Sequence, residues 1–252
     1  MSHYRILRHI LQMKKQGSII ETMNKELAEI LKIYSIKPHQ QFSGRLVDLS
    51  KESLISLFTD LLTMYINDKN SSTIREFITV TTSGYIHSEK KIGFNGFKQA
   101  NIIGGKPIAC EAKPKNIHSN DIKEFQNGTR KTKPSLLNGG GNFTDYTYAR
   151  FKKDKKENLN MLVSGFVDGK LIYILEFPFK TRFFVNKLKN QLNKHFPNGD
   201  ENGRFLRGAN FDYRDFINSK DLKVVFLLPK PQLNEYNHFF NKSFYKELTN
   251  LL

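Results

Sequence analysis

Residues 102–116 read IIGGKPIACEAKPKN, which predicts two short strands joined by a Gly-Gly-Lys-Pro turn. We expect the second strand to end in Glu111, Ala112 and Lys113. Side chains alternate between the two faces of a strand, so Glu111 and Lys113 share one face, with about 7 Å between their Cα atoms. The three residues before Glu111 are apolar, which is typical of a strand buried on both faces. The pattern therefore places a carboxylate and an ammonium together at the end of a core strand.

This pair of side chains suits phosphodiester chemistry. A carboxylate can hold a divalent metal ion while a neighbouring ammonium faces an attacking water or the scissile phosphate. The sequence contains no HExxH and no Gly-x-Ser-x-Gly motif, and its seven histidines are scattered. The single cysteine, Cys110, excludes an internal disulfide and a zinc site built from several cysteines. Glu111 and Lys113 are therefore the only group of residues in the sequence that suggests a catalytic mechanism.

The order strand, turn, strand and then acidic-x-Lys resembles the active-site hairpin of the PD-(D/E)XK nuclease superfamily. The size and charge of the chain resemble those of its type II restriction endonucleases. The resemblance implies a restriction-endonuclease-like α/β core, in which a central mixed β-sheet is flanked by helices. It also implies Mg²⁺-dependent, sequence-specific hydrolysis of double-stranded DNA. Glu111 and the carbonyl of Ala112 would bind the metal, and Lys113 would orient the attacking water or help to deprotonate it.

Families of this kind usually place an aspartate about ten residues before the glutamate. In this chain that position is Asn101, which the resemblance makes the third catalytic and metal-binding residue. An asparagine offers a carbonyl oxygen to a metal but brings no charge, so we expect weaker metal binding. Two explanations stay open: a natural variant of the motif, or an aspartate replaced to disable cutting.

The charge of the chain predicts a polyanionic partner. Its 252 residues carry a formal net charge of +16, and its pI is about 9.7. Nucleic acid is the first candidate, whereas a membrane is not expected because no run of 18 apolar residues exists. One cysteine fits a reducing, cytoplasmic location, although the basic amino terminus leaves a mitochondrial presequence open. Similar restriction enzymes often act as homodimers on palindromic sites, so a homodimer also stays open.

The apolar pattern divides the chain near residue 70. We expect residues 1–70 to form a helical region packed on the core and residues 71–252 to form the nuclease-like catalytic and DNA-binding core. From Thr73 the period changes towards that of a strand, with Phe77 to Thr81 as the first example.

Further elements follow the predicted active-site hairpin. The clearest is a second hairpin, Met161–Val167 and Lys170–Phe177, whose Asp168-Gly169 sequence predicts a type I′ turn. Thr144 can cap a helix that runs to about Lys156. Other helices are expected from about Thr181 to His195 and from about Leu233 to Leu251, and a strand from Lys223 to Leu228.

Basic residues follow the hairpin in three segments: a polar connection over 114–134, the helix near 144–156, and a Gly- and Asn-rich segment over 198–220. Arginine is the residue best suited to guanine edges, and irregular segments often deliver such contacts. An ordinary solvated surface is the alternative for each segment. The residues predicted to contact DNA are Lys115, Arg130, Lys131, Lys133, Arg150, Lys152, Arg204 and Arg207.

Two other functions stay open on sequence alone. A structure-selective repair or junction nuclease on the same core would cut branched DNA without regard to sequence. A non-catalytic basic DNA-binding protein is favoured by the missing aspartate, and it would bind DNA with a strong salt dependence without cutting it.

Overall fold

The computed structural model describes residues 25–36, 46–67, 72–88, 94–99, 105–199 and 203–252, and a β-sheet lies at its centre. The strands are β1 (Ile86–His87), β2 (Gly96–Lys98), β3 (Ile108–Ile117), β4 (Gly141–Tyr146), β5 (Asn160–Val167), β6 (Lys170–Pro178), β7 (Leu206–Phe211) and β8 (Lys223–Leu227). The helices are α1 (Lys25–Ile36), α2 (Lys51–Asn67), α3 (Ser72–Thr82), α4 (Ser119–Gln126), α5 (Tyr148–Glu157), α6 (Arg182–His195), α7 (Lys230–Glu235) and α8 (Lys242–Asn250).

The main sheet has six strands in the order β1-β2-β3-β5-β6-β8. β3 and β5 are parallel, and the other neighbouring pairs of this sheet are antiparallel. β4 and β7 form a separate two-stranded antiparallel sheet. The predicted mixed α/β fold, with a central mixed sheet flanked by helices, is therefore confirmed.

Helices cover both faces of the main sheet. On one face, Ile30 of α1, Leu57 of α2 and Phe77 of α3 pack with Phe166 and Ile174 of the central strands. On the other face, a larger core, half of it aromatic, joins β5 and β6 to α5, α6, α8 and the β4–β7 sheet. Burial on both faces explains why the central strands read as continuous apolar runs and not as alternating ones. None of the described helices is long and apolar enough to cross a membrane.

The hairpin predicted around Asp168-Gly169 is confirmed. β5 and β6 are antiparallel neighbours at the centre of the sheet, and both turn residues have positive φ values, 48° for Asp168 and 77° for Gly169. These values match a type I′ turn, which needs left-handed backbone at both of its central residues.

The strand predicted for residues 77–81 is wrong, because these residues belong to helix α3. Their β-branched side chains favour a strand in isolation. In the structure, the hydroxyls of Thr79 and Thr81 donate to the carbonyls of Arg75 and Phe77, each at 2.8 Å, as threonines in helices can do. Four consecutive residues of this helix, 77–80, are buried. Packing on both sides therefore outweighs the local preference.

Strand β3 extends beyond Lys113, where the sequence predicted its end, and continues to Ile117. The apparent stop was Pro114, which cannot donate to a strand ladder. The carbonyls of Ala109 and Ile117 accept hydrogen bonds from the segment that contains β5. Backbone groups alternate along a strand, so those of even-numbered residues face the opposite edge. Pro114 therefore costs no hydrogen bond with β5 and is tolerated there.

Three smaller predictions also need correction. Thr147, and not Thr144, caps α5, because its hydroxyl accepts from the N–H of Arg150, while Thr144 lies within β4. The segment 198–220 is not wholly irregular, since it contains β7. The last helix is interrupted: the carbonyl and N–H of Leu137 bond to the backbones of Asn241 and Phe239, which breaks the chain between α7 and α8.

Candidate active site

Glu111 and Lys113 form an ion pair on one face of β3. Lys113 Nζ lies 2.6 Å from Glu111 Oε1 and 4.4 Å from the centre of the Phe143 ring. Glu111 is buried, with 6% of its surface exposed, and Lys113 is half-buried. The two predicted residues are thus brought together as the strand period required. Because the pair is largely withdrawn from water, loss of either side chain would leave the other charge buried without a counter-ion.

The backbone of Ala112 faces an open edge of the sheet. β2 pairs only with residues 108–110 of β3, so the described strand has no neighbouring strand on that side from Glu111 onward. The N–H of Ala112 points to this edge and donates to Asn95 Oδ1 at 2.7 Å. The carbonyl of the same residue faces the same edge. The carbonyl predicted as a metal ligand is therefore turned away from the strand ladder.

Asn95 is the asparagine that the structure places beside the Glu-Ala-Lys sequence. Its main-chain N–H donates to the carbonyl of Cys110 at 2.8 Å, and its side chain accepts from Ala112. Asn101, the residue predicted from spacing, lies outside the described residues. Asn95 is not found from a ten-residue spacing, because the register of β2 on β3 decides which residue faces Ala112.

A cleft of about 720 Å³ lies along the open edge of β3. Its walls are the first half of α3 on one side and the β4–β7 sheet on the other. Strand β3 contributes Ala112, Lys113, Pro114 and Lys115 to the cleft. Cations and a backbone carbonyl thus line one concave surface, which is where a polyanionic substrate would be bound.

Glu76 of α3 also lines this cleft and adds a carboxylate to it. Its Oε1 lies 2.9 Å from His87 Nε2, and His87 is buried with 5% of its surface exposed. The histidine therefore fixes the orientation of the carboxylate. Glu76 is not among the residues predicted for the site, because the sequence pattern predicts a strand in this part of the chain.

A second acid, Asp154 of α5, lies behind Glu111. It is 1% exposed, and its Oδ2 is 3.7 Å from Arg150 Nε. Burial and then the charge of Glu111 raise the pKa of Asp154 to about 6, against the opposing effects of Arg150 and Lys113. Burial and then Asp154 also raise the pKa of the Tyr146 hydroxyl. Glu111 therefore belongs to a buried group of charges that no spacing in the sequence indicates.

A third buried acid, Glu176, lies on the opposite face of the sheet. The strand register places Ala112, Leu162 and Glu176 in one row, one residue away from the row of Glu111. Glu176 accepts from the Tyr85 hydroxyl at 3.0 Å, and Lys98 Nζ is 4.0 Å from it. It is therefore separate from the Glu111–Lys113 site.

Three of the residues predicted to contact DNA form hydrogen bonds or ion pairs with other groups of the protein. Lys115 Nζ donates to the carbonyl of Leu136 at 2.6 Å and to Asn138 Oδ1 at 3.1 Å, and burial lowers its pKa. Arg130 forms a 2.7 Å ion pair with Asp121. Arg150 Nη1 donates to the carbonyl of Thr144 at 2.6 Å, in addition to its contact with Asp154. Of these three, Lys115 is in the cleft.

The other five basic residues have exposed positions. Two of them are in the connection between α4 and β4, one is on α5, and two are at the start of β7: these are Lys131, Lys133, Lys152, Arg204 and Arg207. Their contact with DNA stays a prediction.

The oxygen donors near the open edge of β3 suit a hard divalent cation with few protein ligands. Glu76 and Ala112 line the cleft, whereas Glu111 lies beside it, paired with Lys113 on one face of β3. Mg²⁺ prefers oxygen ligands and commonly keeps several waters. Among the described residues, no group of three or more His, Cys, Asp or Glu side chains is arranged to hold a metal. A metal here would therefore depend on backbone, water and substrate oxygens as well as on Glu111.

Comparison of the chain with models of known protein families gave no match, and a search of curated proteins gave none either.

Proposed function

We propose that the protein is a Mg²⁺-dependent endonuclease similar to type II restriction enzymes, which hydrolyses double-stranded DNA at specific sequences. The observation that carries the proposal is the position of Glu111 and Lys113. They lie on one face of β3, on either side of a residue whose carbonyl faces the open edge, and Lys113 lines the cleft.

Each residue of the site has a role that follows from its position. Glu111 and the carbonyl of Ala112 would hold the metal, which when bound supplies Lewis-acid stabilisation of charge on the phosphate. Asn95 holds β3 through its hydrogen bond from the N–H of Ala112, on the edge of the strand that the Ala112 carbonyl also faces. Lys113 brings a positive charge next to Glu111, where it can orient a water molecule or contact the scissile phosphate.

Charge supports DNA as the substrate. The chain carries a net charge of +16, and the cleft contains Lys113 and Lys115 beside the amides of three asparagines. Lysines supply contacts to phosphate, and amide side chains can contact bases or sugars.

One observation favours a second candidate, a DNA-binding protein that does not cut. The side chain that the structure places beside Ala112 is Asn95, which is neutral, and the position predicted for an aspartate is Asn101, also neutral. With fewer negative ligands, metal affinity falls and catalysis falls with it.

The deciding experiment is cleavage of mixed plasmid and phage DNA with Mg²⁺ or Mn²⁺. It compares the native protein, Asn95→Asp, Asn101→Asp and Glu111→Ala. Discrete bands from any of the first three, absent with Glu111→Ala, support a sequence-specific nuclease and identify which asparagine limits it. Salt-sensitive binding without cutting by all four proteins would overturn the enzyme and leave the DNA-binding candidate.

A further inference from the structure

The two-stranded sheet of β4 and β7, here called the ribbon, has two unlike faces. Its strands are antiparallel, with Asn142 opposite Asn210 and Phe143 opposite Ala209. Phe143 and Ala209 are fully buried and face the aromatic core. Asn142, Asn210 and Thr144 are exposed on the other face. The ribbon is therefore anchored by one face and presents a polar surface with the other.

The polar face of the ribbon forms one wall of the cleft. Asn142, Thr144 and Asn210 line the same cleft as Lys113. In the part of the chain that the structure describes, the side-chain amides of Asn142 and Asn210 form no hydrogen bond or ion pair. Two amide groups in the cleft that Lys113 also lines are thus available to a ligand.

The ribbon is held firmly against the rest of the site. Gln191 of α6 bonds to both backbone groups of Asn210: its amide donates to the carbonyl at 2.8 Å, and its oxygen accepts from the N–H at 2.9 Å. Where the ribbon meets β3, a Cβ added to Gly141 would lie 2.7 Å from Lys113 Cβ, so only glycine allows this close approach. The two asparagines therefore keep a fixed distance from Lys113, which is the preorganisation that a specific contact needs.

This shape and chemistry match one kind of ligand. The major groove of B-DNA admits a two-stranded β-ribbon, and an asparagine amide can bond to both N6 and N7 of adenine. Contacts to phosphate, which only position a protein on DNA, do not need a donor and an acceptor on one side chain.

We propose that Asn142 and Asn210 read adenine edges in the major groove of DNA bound in the cleft, which makes the ribbon the sequence-reading element. This inference rests on the proposed function, since it takes duplex DNA as the ligand.

The test begins with the Glu111→Gln protein, which should bind DNA without cutting it if the proposed mechanism is right. This protein is used to select the sequences that it binds from a pool of random DNA duplexes. Fluorescence anisotropy at fixed salt then compares a selected duplex with a scrambled one. We expect Asn142→Ala and Asn210→Ala, each made in the same background, to weaken binding to the selected duplex about 5- to 100-fold and to leave the scrambled duplex unchanged. Asn186→Ala, at an exposed position of α6 that does not line the cleft, is the matched control and should change neither affinity.

The adenine assignment has its own measurement. Replacing the selected adenines with 7-deazaadenine removes the N7 acceptor, so it should weaken binding by the Glu111→Gln protein and have less effect on the variants that lack the reading asparagine. Thermal melting of each variant shows that its fold is retained.

An equal loss of affinity for the selected and the scrambled duplex would overturn base reading, because a phosphate contact gives that result. Unchanged affinity for both duplexes would also overturn base reading. Failure of the proposed function gives a different result: if no cutting occurs but selective binding is lost with Asn142→Ala or Asn210→Ala, the enzyme is wrong and base reading stands. If cutting at a specific sequence keeps the same preference in both variants, base reading is wrong and the enzyme stands.

Discussion

The side-chain oxygen of Asn95 accepts the N–H of Ala112 at 2.7 Å, which joins β2 to β3 where their main-chain pairing ends. A carboxylate at position 95 could accept the same hydrogen bond, since both side chains have the same size and an acceptor oxygen. The asparagine therefore satisfies the structural requirement of this position but adds no negative charge beside the Ala112 carbonyl.

Asn95→Asp should strengthen Mg²⁺ binding, because a charged ligand would then lie beside the carbonyl of Ala112. We expect a gain of about tenfold or more in affinity, measured by isothermal titration calorimetry with Mg²⁺ or Mn²⁺. Asn186→Asp adds the same charge on the surface of α6 and serves as the control. Equal gains in the two variants would show that net charge alone is responsible.

Removing one partner of the Glu111–Lys113 pair should destabilise the fold strongly, because the other charge is then buried and unpaired. Lys113→Met leaves Glu111 buried without its counter-ion, and we expect it to lower the free energy of unfolding by about 3 kcal/mol. The double variant Glu111→Gln with Lys113→Met should recover most of this loss, since no uncompensated charge then remains. Urea denaturation of the native protein, Lys113→Met, Glu111→Gln and the double variant measures the coupling, and additive effects would contradict the prediction.

Local signals account for what the sequence predicted correctly. The Asp168-Gly169 turn, the helix ending at His195 and the shared face of Glu111 and Lys113 each depend on residues a few positions apart. These features could be predicted because short-range patterns, such as a turn type or the two-residue period of a strand, determine them.

Contacts between distant segments account for what it missed. Residues 77–80 form a helix because they are buried by packing, although their composition favours a strand. Glu76 and Asp154 reach the site only because α3 and α5 pack beside β3, which no spacing in the chain indicates. Strand β7 was hidden by its glycine and its asparagine, which are placed there by pairing with β4 and not by strand preference.

Cys110 should be unreactive in the folded protein. Its thiol is fully buried in β3, and burial followed by the charge of Glu176 raises its pKa well above the usual value, so little thiolate forms at neutral pH. We expect iodoacetamide to label it slowly in native buffer and fully in guanidinium chloride, as measured by intact mass. Rapid labelling of the native protein would mean that β3 opens at this point.

Asp154 should make stability depend on pH. Its folded pKa is raised from 3.8 to about 6, so the folded state favours the protonated carboxyl. The resulting stabilisation is fully present below about pH 4 and is lost as pH rises through about 6. The groups around it are Glu111 and Lys113 of β3, Tyr146 of β4 and Arg150 of its own helix.

Asp154→Asn keeps the shape of the protonated acid and cannot ionise. Its free energy of unfolding should equal that of the native protein near pH 4 and exceed it by about 3 kcal/mol at pH 8, since about two pKa units separate the folded and unfolded states. Urea denaturation at both pH values, with a chelator present, measures the difference. Asp221→Asn, at an exposed site, is the control for replacing one aspartate. A native protein that is more stable than Asp154→Asn at pH 8 would show instead that ionised Asp154 stabilises the fold through Arg150 and Lys113.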